Sequence, residues 1–408
     1  MFFSSHCKYT KCFLLLLITT HIPLTIQFIT IRLTESFESF DLYLRITPPE
    51  YTSFQLELDL TSPYLWVSSF PFKPQNGNII LSGSPTPMLI SHNSTYLCQP
   101  YITSFYFTSY DFQTTYHFNS SILLYQIISN TSIPFFDSFP LAHSIPNPNS
   151  NSPIYYLYNN KTITSKSFSI EFDLYTHNSK LHIGNINGYY LNKYKHYVII
   201  KPVINKSYMN YWLIDFKEIH IESTYNNTIS VFPKQQNEIA YLQGNKDSIK
   251  VPKEFFTYLE KELFKEYIEK KICFVIHQSQ CIYLECDCSA IHSFPMFAFI
   301  INDYKVKLGY RDLFRRYNSD TATCGFLMKY YFKNKNAWMF GIPFLSAHTA
   351  VFNYDEDSIT LYNDDYMYER VLLPRTTQIN KTIEYIYKWN ALLCIICSIA
   401  LLYIKRVK

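Results

Sequence analysis

The stretch that decides the fold is Phe54-Gln55-Leu56-Glu57-Leu58-Asp59-Leu60-Thr61-Ser62-Pro63-Tyr64-Leu65-Trp66-Val67. Apolar residues alternate with polar ones up to Asp59, a short polar turn follows, and the apolar run Leu65-Trp66-Val67 comes next. Alternation with a period of two is typical of a strand that is buried on one face. The stretch therefore predicts a strand that leads into a loop carrying an aspartate.

The composition indicates a folded chain with a large apolar interior. Of the 408 residues, 18% are aromatic (37 Tyr and 33 Phe) and only 17% are charged. A chain of this length can form two sizeable cores, and so much apolar surface excludes global disorder. The formal charge is +4, and no concentrated basic stripe is present, so we find no indication of nucleic-acid binding.

Short runs of β-branched and aromatic residues, bounded by turn residues, predict an all-β fold. We predict strands over residues 40–46, 54–67, 167–174, 180–184, 197–203 and 211–221, and again from 294 to about 365. One segment, 252–269, has apolar residues at helical spacing and a proline near its start, which predicts a helix.

Both ends of the chain have the composition of membrane-directed segments. Lys8 and Lys11 precede an apolar run, so we interpret residues 1–30 as a signal peptide, with a retained anchor as the alternative because no clean cleavage site follows. Residues 389–404 are uncharged and apolar, which predicts a transmembrane helix after a stalk at 372–388. The basic residues within 405–408 favour a cytosolic tail.

Cysteines and glycosylation sequons fit a luminal or extracellular domain. An even number of cysteines in a secreted domain suggests disulfides, in any of 15 connectivities. A zinc site formed by Cys273, Cys281, Cys286 and Cys288 is the less favoured alternative, because no paired Cys-x-x-Cys pattern frames it. The six cysteines between the two terminal segments are Cys98, Cys273, Cys281, Cys286, Cys288 and Cys324, and the sequons begin at Asn93, Asn119, Asn130, Asn160, Asn205, Asn226 and Asn380.

Several segments resemble the pepsin-like aspartic proteases, in the order that this family has them. Asp59 with its following Leu65-Trp66-Val67 resembles the family's Asp-Thr-Gly-Ser and Leu-Trp-Val. The other matches are Thr47-Pro48-Pro49, Leu181-His182-Ile183-Gly184, Tyr211-Trp212-Leu213-Ile214, Cys324-Gly325-Phe326 and Trp338-Met339-Phe340-Gly341. The resemblance implies a bilobal, all-β double-barrel fold, with lobes at 37–200 and 201–371 and a second-lobe disulfide region around Cys288 and Cys324.

The same resemblance shows where catalytic groups are missing. Pepsin-like catalysis needs two carboxylates that share one proton. The first lobe has Asp59-Leu60-Thr61, which keeps the aspartate but lacks the glycine of Asp-Thr-Gly. We align the second loop as Leu242-Gln243-Gly244, anchored on the glycine, which puts Leu242 at the second aspartate position. Asp247 would replace that acid only after a shift in register.

Two further elements depart from the family pattern. The hydrophobic-hydrophobic-Gly element behind each active-site loop corresponds to Phe139-Pro140-Leu141, without its glycine, and to Met339-Phe340-Gly341. The flap is expected between Tyr106 and Tyr125, a stretch that has no glycine for a hairpin tip.

These residues together predict a membrane-anchored pseudoprotease of the secretory pathway or cell surface. It would bind peptides or proteins in the cleft between the lobes and need no cofactor or metal. The alternatives are an active aspartic endopeptidase that uses Asp59 with a non-standard partner, and a structural surface glycoprotein.

Overall fold

The structure is a computed structural model. It describes the ranges 28–35, 42–46, 54–67, 79–81, 85–91, 94–108, 115–127, 138–145, 152–172, 179–205, 210–222, 229–232, 237–316, 322–333, 336–363 and 368–370. Secondary structure within these ranges is mostly strand, with a few short helices, so the predicted all-β class is confirmed.

The first half of the chain contributes thirteen strands to the described residues, and the loop that carries Asp59 follows the fourth. They are β1 (Phe28–Arg32), β2 (Thr34–Glu35), β3 (Leu42–Ile46), β4 (Phe54–Asp59), β5 (Leu65–Val67), β6 (Ile79–Leu81), β7 (Thr86–Ser91), β8 (Ser94–Thr108), β9 (Thr115–Ile127), β10 (Ser138–Pro140), β11 (Ser167–Glu171), β12 (Lys180–Gly184) and β13 (His196–Ile200).

The second half has more strands. They are β14 (Leu213–Phe216), β15 (Ile219–Glu222), β16 (Ile229–Phe232), β17 (Glu238–Leu242), β18 (Ile249–Lys250), β19 (Cys273–His277), β20 (Cys281–Asp287), β21 (Met296–Ile301), β22 (Tyr304–Leu308), β23 (Phe314–Arg315), β24 (Thr323–Phe326), β25 (Met328–Tyr331), β26 (Trp338–Phe340), β27 (Thr349–Asn353), β28 (Ser358–Asn363) and β29 (Tyr368–Arg370).

The helices are short and lie between strands. They are α1 (Pro153–Asn159), α2 (Asn187–Lys193), α3 (Lys253–Tyr258), α4 (Lys265–Glu269), α5 (Tyr310–Leu313) and α6 (Ile342–Ala347), with a π-helical turn at Leu259–Leu263 and a 3₁₀ turn at Ile291–Ser293.

The strands form two lobes joined by a shared sheet. The first-lobe sheet has the order β2-β3-β4-β10-β5-β9-β8-β6, with β7 paired to β8. The second lobe has the sheet β14-β17-β26-β18-β25-β20-β24-β23, with β19 paired to β20, and the smaller sheet β16-β15-β21-β22-β29. A sheet with the order β1-β12-β11-β27-β28-β13 takes strands from both halves of the chain and connects the lobes.

A buried aromatic cluster fixes the junction between the halves. The indole nitrogen of Trp212 donates a 2.8 Å hydrogen bond to the carbonyl oxygen of Leu141. The Trp212 ring packs against Phe352, and Phe352 stacks on Phe168 of β11. Because buried aromatic contacts contribute strongly to stability, this cluster holds the shared sheet against both lobes.

Several predicted elements are confirmed with changed boundaries. The predicted segment 54–67 is two strands, β4 and β5, separated by the loop at 60–64. The predicted helix over 252–269 is present as α3, the π-helical turn and α4, with Pro252 as the residue that caps α3. Helices α1, α2 and α6 were not predicted, because each has only six or seven residues and too few turns to show a periodic pattern.

The predicted ends of the chain lie almost wholly outside the described residues. Strand β1 begins at Phe28 and pairs with β12, so it occupies the last part of the segment 1–30 that was predicted to be a signal peptide or anchor. The segments 372–388, 389–404 and 405–408 are not described. In the described part of the chain, no helix is long and apolar enough to cross a membrane.

Candidate functional site

Asp59 lies at the end of β4, with its side chain on the face opposite the core. Leu58 and Leu60 on either side of it are fully buried, whereas Asp59 is partly exposed. Oδ1 of Asp59 accepts hydrogen bonds from the backbone nitrogen of Thr61 at 2.8 Å and from the Thr61 hydroxyl at 2.6 Å. This local turn is a common use of aspartate, and here it fixes the direction of the carboxylate.

Gln243 reaches Asp59 from the second lobe. Its Nε2 lies 3.4 Å from Oδ1 of Asp59 and 2.6 Å from Oδ1 of Asn245. A carboxylate can only accept hydrogen bonds, and the neighbouring Asn245 oxygen is also an acceptor, so the donor end of the Gln243 amide must face both. Gln243 is only 8% exposed, so this contact is largely screened from water.

The structure places Gln243, rather than Leu242, opposite Asp59, which corrects the alignment made from the sequence. The side chain of Leu242 is fully buried in the core. Its backbone nitrogen donates to the carbonyl oxygen of Trp212, which lies on the side of β17 opposite β26. The backbone nitrogen of Gln243 instead donates to the carbonyl oxygen of Phe340 in β26. Successive side chains of a strand point to opposite faces, so an alignment error of one residue exchanges the core face for the face on which Asp59 lies.

A usable signal for Gln243 was present in the sequence. In β4 the last core leucine, Leu58, is followed at once by the polar residue Asp59 that faces away from the core. In β17 the last core residue of the strand, Leu242, is followed in the same way by Gln243. Anchoring the alignment on Gly244 hid this correspondence, because the second loop does not keep its glycine in the family's position.

The two loops also touch through Leu60 and Gly244. A β-carbon on Gly244 would lie 3.1 Å from Cδ1 of Ile170, 3.3 Å from the carbonyl oxygen of Leu58 and 3.6 Å from Cδ1 of Leu60. The second loop therefore approaches the first so closely that a side chain at Gly244 would crowd its neighbours. Leu60, which is fully buried, fills the space that Gly244 leaves.

The elements behind the loops are arranged as predicted. Strand β10 runs parallel to β4, with Pro140 opposite Asp59, and β26 runs parallel to β17, with Phe340 opposite Leu242. A β-carbon on Gly341 would lie 2.5 Å from the carbonyl oxygen of Lys246 and still closer to that of Ser248. Glycine is required there because the backbone of the second loop lies directly against it.

Asp247, the alternative acid, faces a different partner. Its Oδ2 lies 3.1 Å from Nζ of Lys329, and the ion pair is partly buried. Asp59 is instead contacted by Thr61 and Gln243, so the described contacts give Asp247 no part in an acid pair with Asp59.

The expected flap is a hairpin of β8 and β9. The strands pair from Cys98 opposite Ile127 to Thr108 opposite Thr115, with an irregularity between Thr103 and Phe105. The tip, residues 109–114, lies outside the described residues, so the position of a flap tyrosine stays open.

Four of the six candidate cysteines form two disulfides in the second lobe. Cys288 bonds to Cys324, in the region that the family resemblance indicated, and Cys273 bonds to Cys286 across the hairpin of β19 and β20. Cys98 and Cys281 are buried and belong to neither disulfide. Three of the four cysteines considered for zinc are therefore oxidised. Within the described ranges, no group of three or more His, Cys, Asp or Glu side chains is arranged to hold a metal ion.

A bilobal β-fold in which one loop from each lobe meets the other where the lobes join is typical of pepsin-like proteins. The profile of the family described as eukaryotic aspartyl protease matches residues 138–363, which is more than half of the chain. The chain therefore belongs to the eukaryotic aspartyl protease family.

Solved structures with the same fold carry different names. Conglutin gamma, a basic 7S globulin from lupine seeds, superposes with a TM-score of 0.64 at 12% identity, over 83% of this chain and 95% of its own. Basic 7S globulin from soybean superposes with a TM-score of 0.64 at 9% identity, over 86% of this chain and 100% of its own. An aspartic proteinase from Irpex lacteus superposes with a TM-score of 0.61 at 10% identity, over 83% of this chain and 98% of its own. No significant match is found among curated proteins.

Proposed function

We propose that this chain is a catalytically inactive member of its family that binds a peptide or protein segment in the cleft between the lobes. The observation that carries the proposal is the contact between Asp59 and Gln243. Proton transfer in this class needs a second carboxylate that can hold the shared proton while the first acts as base. A glutamine amide neither releases nor takes up a proton at the pH values at which carboxylates titrate. The Asp59–Gln243 pair therefore cannot share a proton as two carboxylates do.

The comparisons leave room for this proposal without deciding it. Structures of similar fold are named as basic 7S globulins and as an aspartic proteinase, so the fold alone does not assign an activity. The pairing of the two loops is nevertheless retained here, because the Gln243 amide still meets the Asp59 carboxylate. An arrangement that keeps the cleft and loses the acid is suited to binding without cleavage.

The proposed location is the secretory pathway or the cell surface, with a single anchor at residues 389–404. The two disulfides support an oxidising compartment, since disulfides persist in secreted proteins and are rare in the cytosol. The anchor and the signal segment are supported by the apolar composition of the two ends.

The proposal is tested first by activity. Full-length protein purified in neutral detergent is incubated with fluorescently labelled casein from pH 3 to pH 7. We expect no turnover above that of the Asp59→Asn variant. Turnover that is abolished by Asp59→Asn and by a statine-type inhibitor would establish the alternative, an active endopeptidase that uses Asp59.

Binding is tested separately with a pool of random octapeptides. We expect the protein to retain a subset of the pool, and the retained peptides to slow hydrogen exchange in the loops at 59–64 and 241–246. If no peptide is retained, or if protection falls only outside these loops, the cleft is not a binding site and the structural-glycoprotein alternative gains support.

A further inference from the structure

A pocket of about 540 Å³ lies in the second lobe and is lined in part by residues that flank Gln243 in the chain. Tyr241, two positions before Gln243 on the same face of β17, forms part of its wall, and Lys246 lies in the loop three positions after Gln243. Tyr331 and Phe332 supply further aromatic surface. Two of the residues that line the pocket, Tyr241 and Lys246, are therefore close neighbours of Gln243 in the chain, and the lining is mainly apolar.

Three lysines, Lys246, Lys250 and Lys333, line this pocket, and none of the described residues in its lining is acidic. Asp247, the acidic neighbour of Lys246 in the chain, is paired with Lys329 instead. Over the described parts of the chain, none of the three lysines has a carboxylate partner. The pocket therefore carries a positive charge that no described group neutralises.

Lys250 is the most informative of the three. It is 5% exposed, and its Nζ donates a 2.9 Å hydrogen bond to the carbonyl oxygen of Lys333, the one polar contact it makes with a described residue. An ammonium has three donors, and burying one without an anion is costly. Burial lowers the pKa of Lys250 to about 8, in the direction expected for an ammonium without an acidic partner.

We propose that this pocket binds an amphipathic carboxylate. The carboxylate group contacts Lys250, assisted by Lys246 and Lys333, and an apolar or aromatic body packs against Tyr241, Tyr331 and Phe332. An anion supplies the partner that the buried ammonium lacks, and the apolar lining favours a carboxylate on a hydrophobic body over a small hydrated anion. The inference rests on the proposed function and deepens it, because it names the chemical class that a bound peptide would present to the second lobe.

The same chemistry has two sources, a free organic acid and an acidic side chain of a peptide. Titration calorimetry on the full-length protein uses indole-3-acetate as the free acid and tryptamine, the same ring with a cation, as its matched control. An acetylated and amidated peptide with the sequence Ala-Ala-Glu-Phe-Ala-Ala is compared with its glutamine analogue. We expect indole-3-acetate to bind at least about tenfold more tightly than tryptamine, as a charge-assisted hydrogen bond requires.

Substitutions locate the binding. Lys250→Met keeps the length and apolar stem of the side chain and should weaken carboxylate binding about tenfold or more. Lys246→Met and Lys333→Met remove exposed charges without altering the core, so they test the pocket even if Lys250→Met does not fold. Lys270→Met, at an exposed lysine beyond α4, is the control and should leave binding unchanged.

The outcomes separate this inference from the function proposed above. Binding of the glutamate peptide, displaced by indole-3-acetate, identifies the source as a peptide side chain, and binding of the free acid alone identifies a small organic acid. Equal affinity for tryptamine, an equal effect of Lys270→Met, or no binding of either carboxylate probe overturns the inference. Random peptides that bind without regard to charge would leave the cleft function standing and remove only the carboxylate specificity.

Discussion

The side-chain nitrogen of Gln243 lies 3.4 Å from Oδ1 of Asp59, so an amide from one lobe meets a carboxylate from the other. An amide donor beside a carboxylate forms a hydrogen bond, whereas a second ionised carboxylate in its place would repel the first. Asn245 accepts from the same nitrogen at 2.6 Å, and Thr61 donates twice to the same Asp59 oxygen. Oδ1 of Asp59 is thus contacted by a backbone nitrogen, a hydroxyl and an amide nitrogen, and none of these donors is a carboxylic acid.

Replacing Gln243 with aspartate should introduce a pH-dependent loss of stability. Two facing carboxylates raise the folded-state pKa of one of them above its unfolded value. The penalty is therefore small at pH 4, where the pair holds a proton, and grows to about 1–3 kcal/mol at pH 7. Urea unfolding of Gln243→Asp and of the parent protein at both pH values measures it, with Gln243→Asn as the uncharged control. A penalty that does not depend on pH would contradict the contact.

Replacing Gly341 with alanine should be strongly destabilising. The added β-carbon would collide with the backbone carbonyls of Lys246 and Ser248, which cannot rotate away as a side chain could. We expect a loss of about 2–4 kcal/mol. The matched control is Gly188→Ala in α2, where nothing lies within 4 Å of the new β-carbon and helix propensity favours alanine. Equal effects of the two substitutions in denaturant unfolding would show that the second loop does not pack against Gly341.

Removing the two disulfides should cost unequal amounts of stability. Cys288–Cys324 closes a separation of 36 residues and Cys273–Cys286 one of 13. In the chain-entropy account, loss of the first costs about 4 kcal/mol and loss of the second about 3 kcal/mol. The double serine variants are compared by thermal unfolding under oxidising conditions, with Cys281→Ser as a control outside both bonds. If removal of Cys273–Cys286 lowers the stability more than removal of Cys288–Cys324, loop-closure entropy does not set the contributions of these disulfides.

Acidification should destabilise the protein through His348 before its carboxylates titrate. His348 is fully buried, and its Nε2 lies 2.9 Å from the carbonyl oxygen of Lys307. Burial lowers the pKa of His348 from 6.5 to about 4. Because the unfolded chain binds the proton more readily, the stability it contributes is complete above pH 6.5 and is lost as the pH falls toward 4. The loss is on the order of 3 kcal/mol.

Substitution separates this contribution from the rest of the acid response. Glutamine at position 348 can still donate to the Lys307 carbonyl but cannot become charged, so His348→Gln should flatten the stability profile between pH 6.5 and pH 4.5. His277→Gln, at an exposed histidine, should leave the slope as it is. Chemical unfolding at half-unit pH steps measures both. An unchanged slope in His348→Gln would show that His348 is not buried in its neutral form.

The main features of the fold could be predicted from the sequence. The alternation that ends at Asp59 predicts β4 and its loop, the apolar spacing over 252–269 predicts the main helix, and Trp338-Met339-Phe340-Gly341 marks the strand behind the second loop. These signals are local, because they depend on which face of a strand or helix each residue occupies. The short helices α1 and α2 give no comparable signal, because they contain too few turns.

The sequence by itself predicted the pepsin-like fold, and it predicted that one of the two carboxylates of the family pattern is missing. It did not determine which residue replaces that carboxylate, because a shift of one position along β17 exchanges the core face for the cleft face. Tertiary structure decided this point, since the parallel pairing of β17 with β26 and the approach of Gly244 to Leu58 and Leu60 bring Gln243 to Asp59. Only tertiary structure brings Lys333 to the same pocket as Lys246 and Lys250, because more than 80 residues of chain separate it from them.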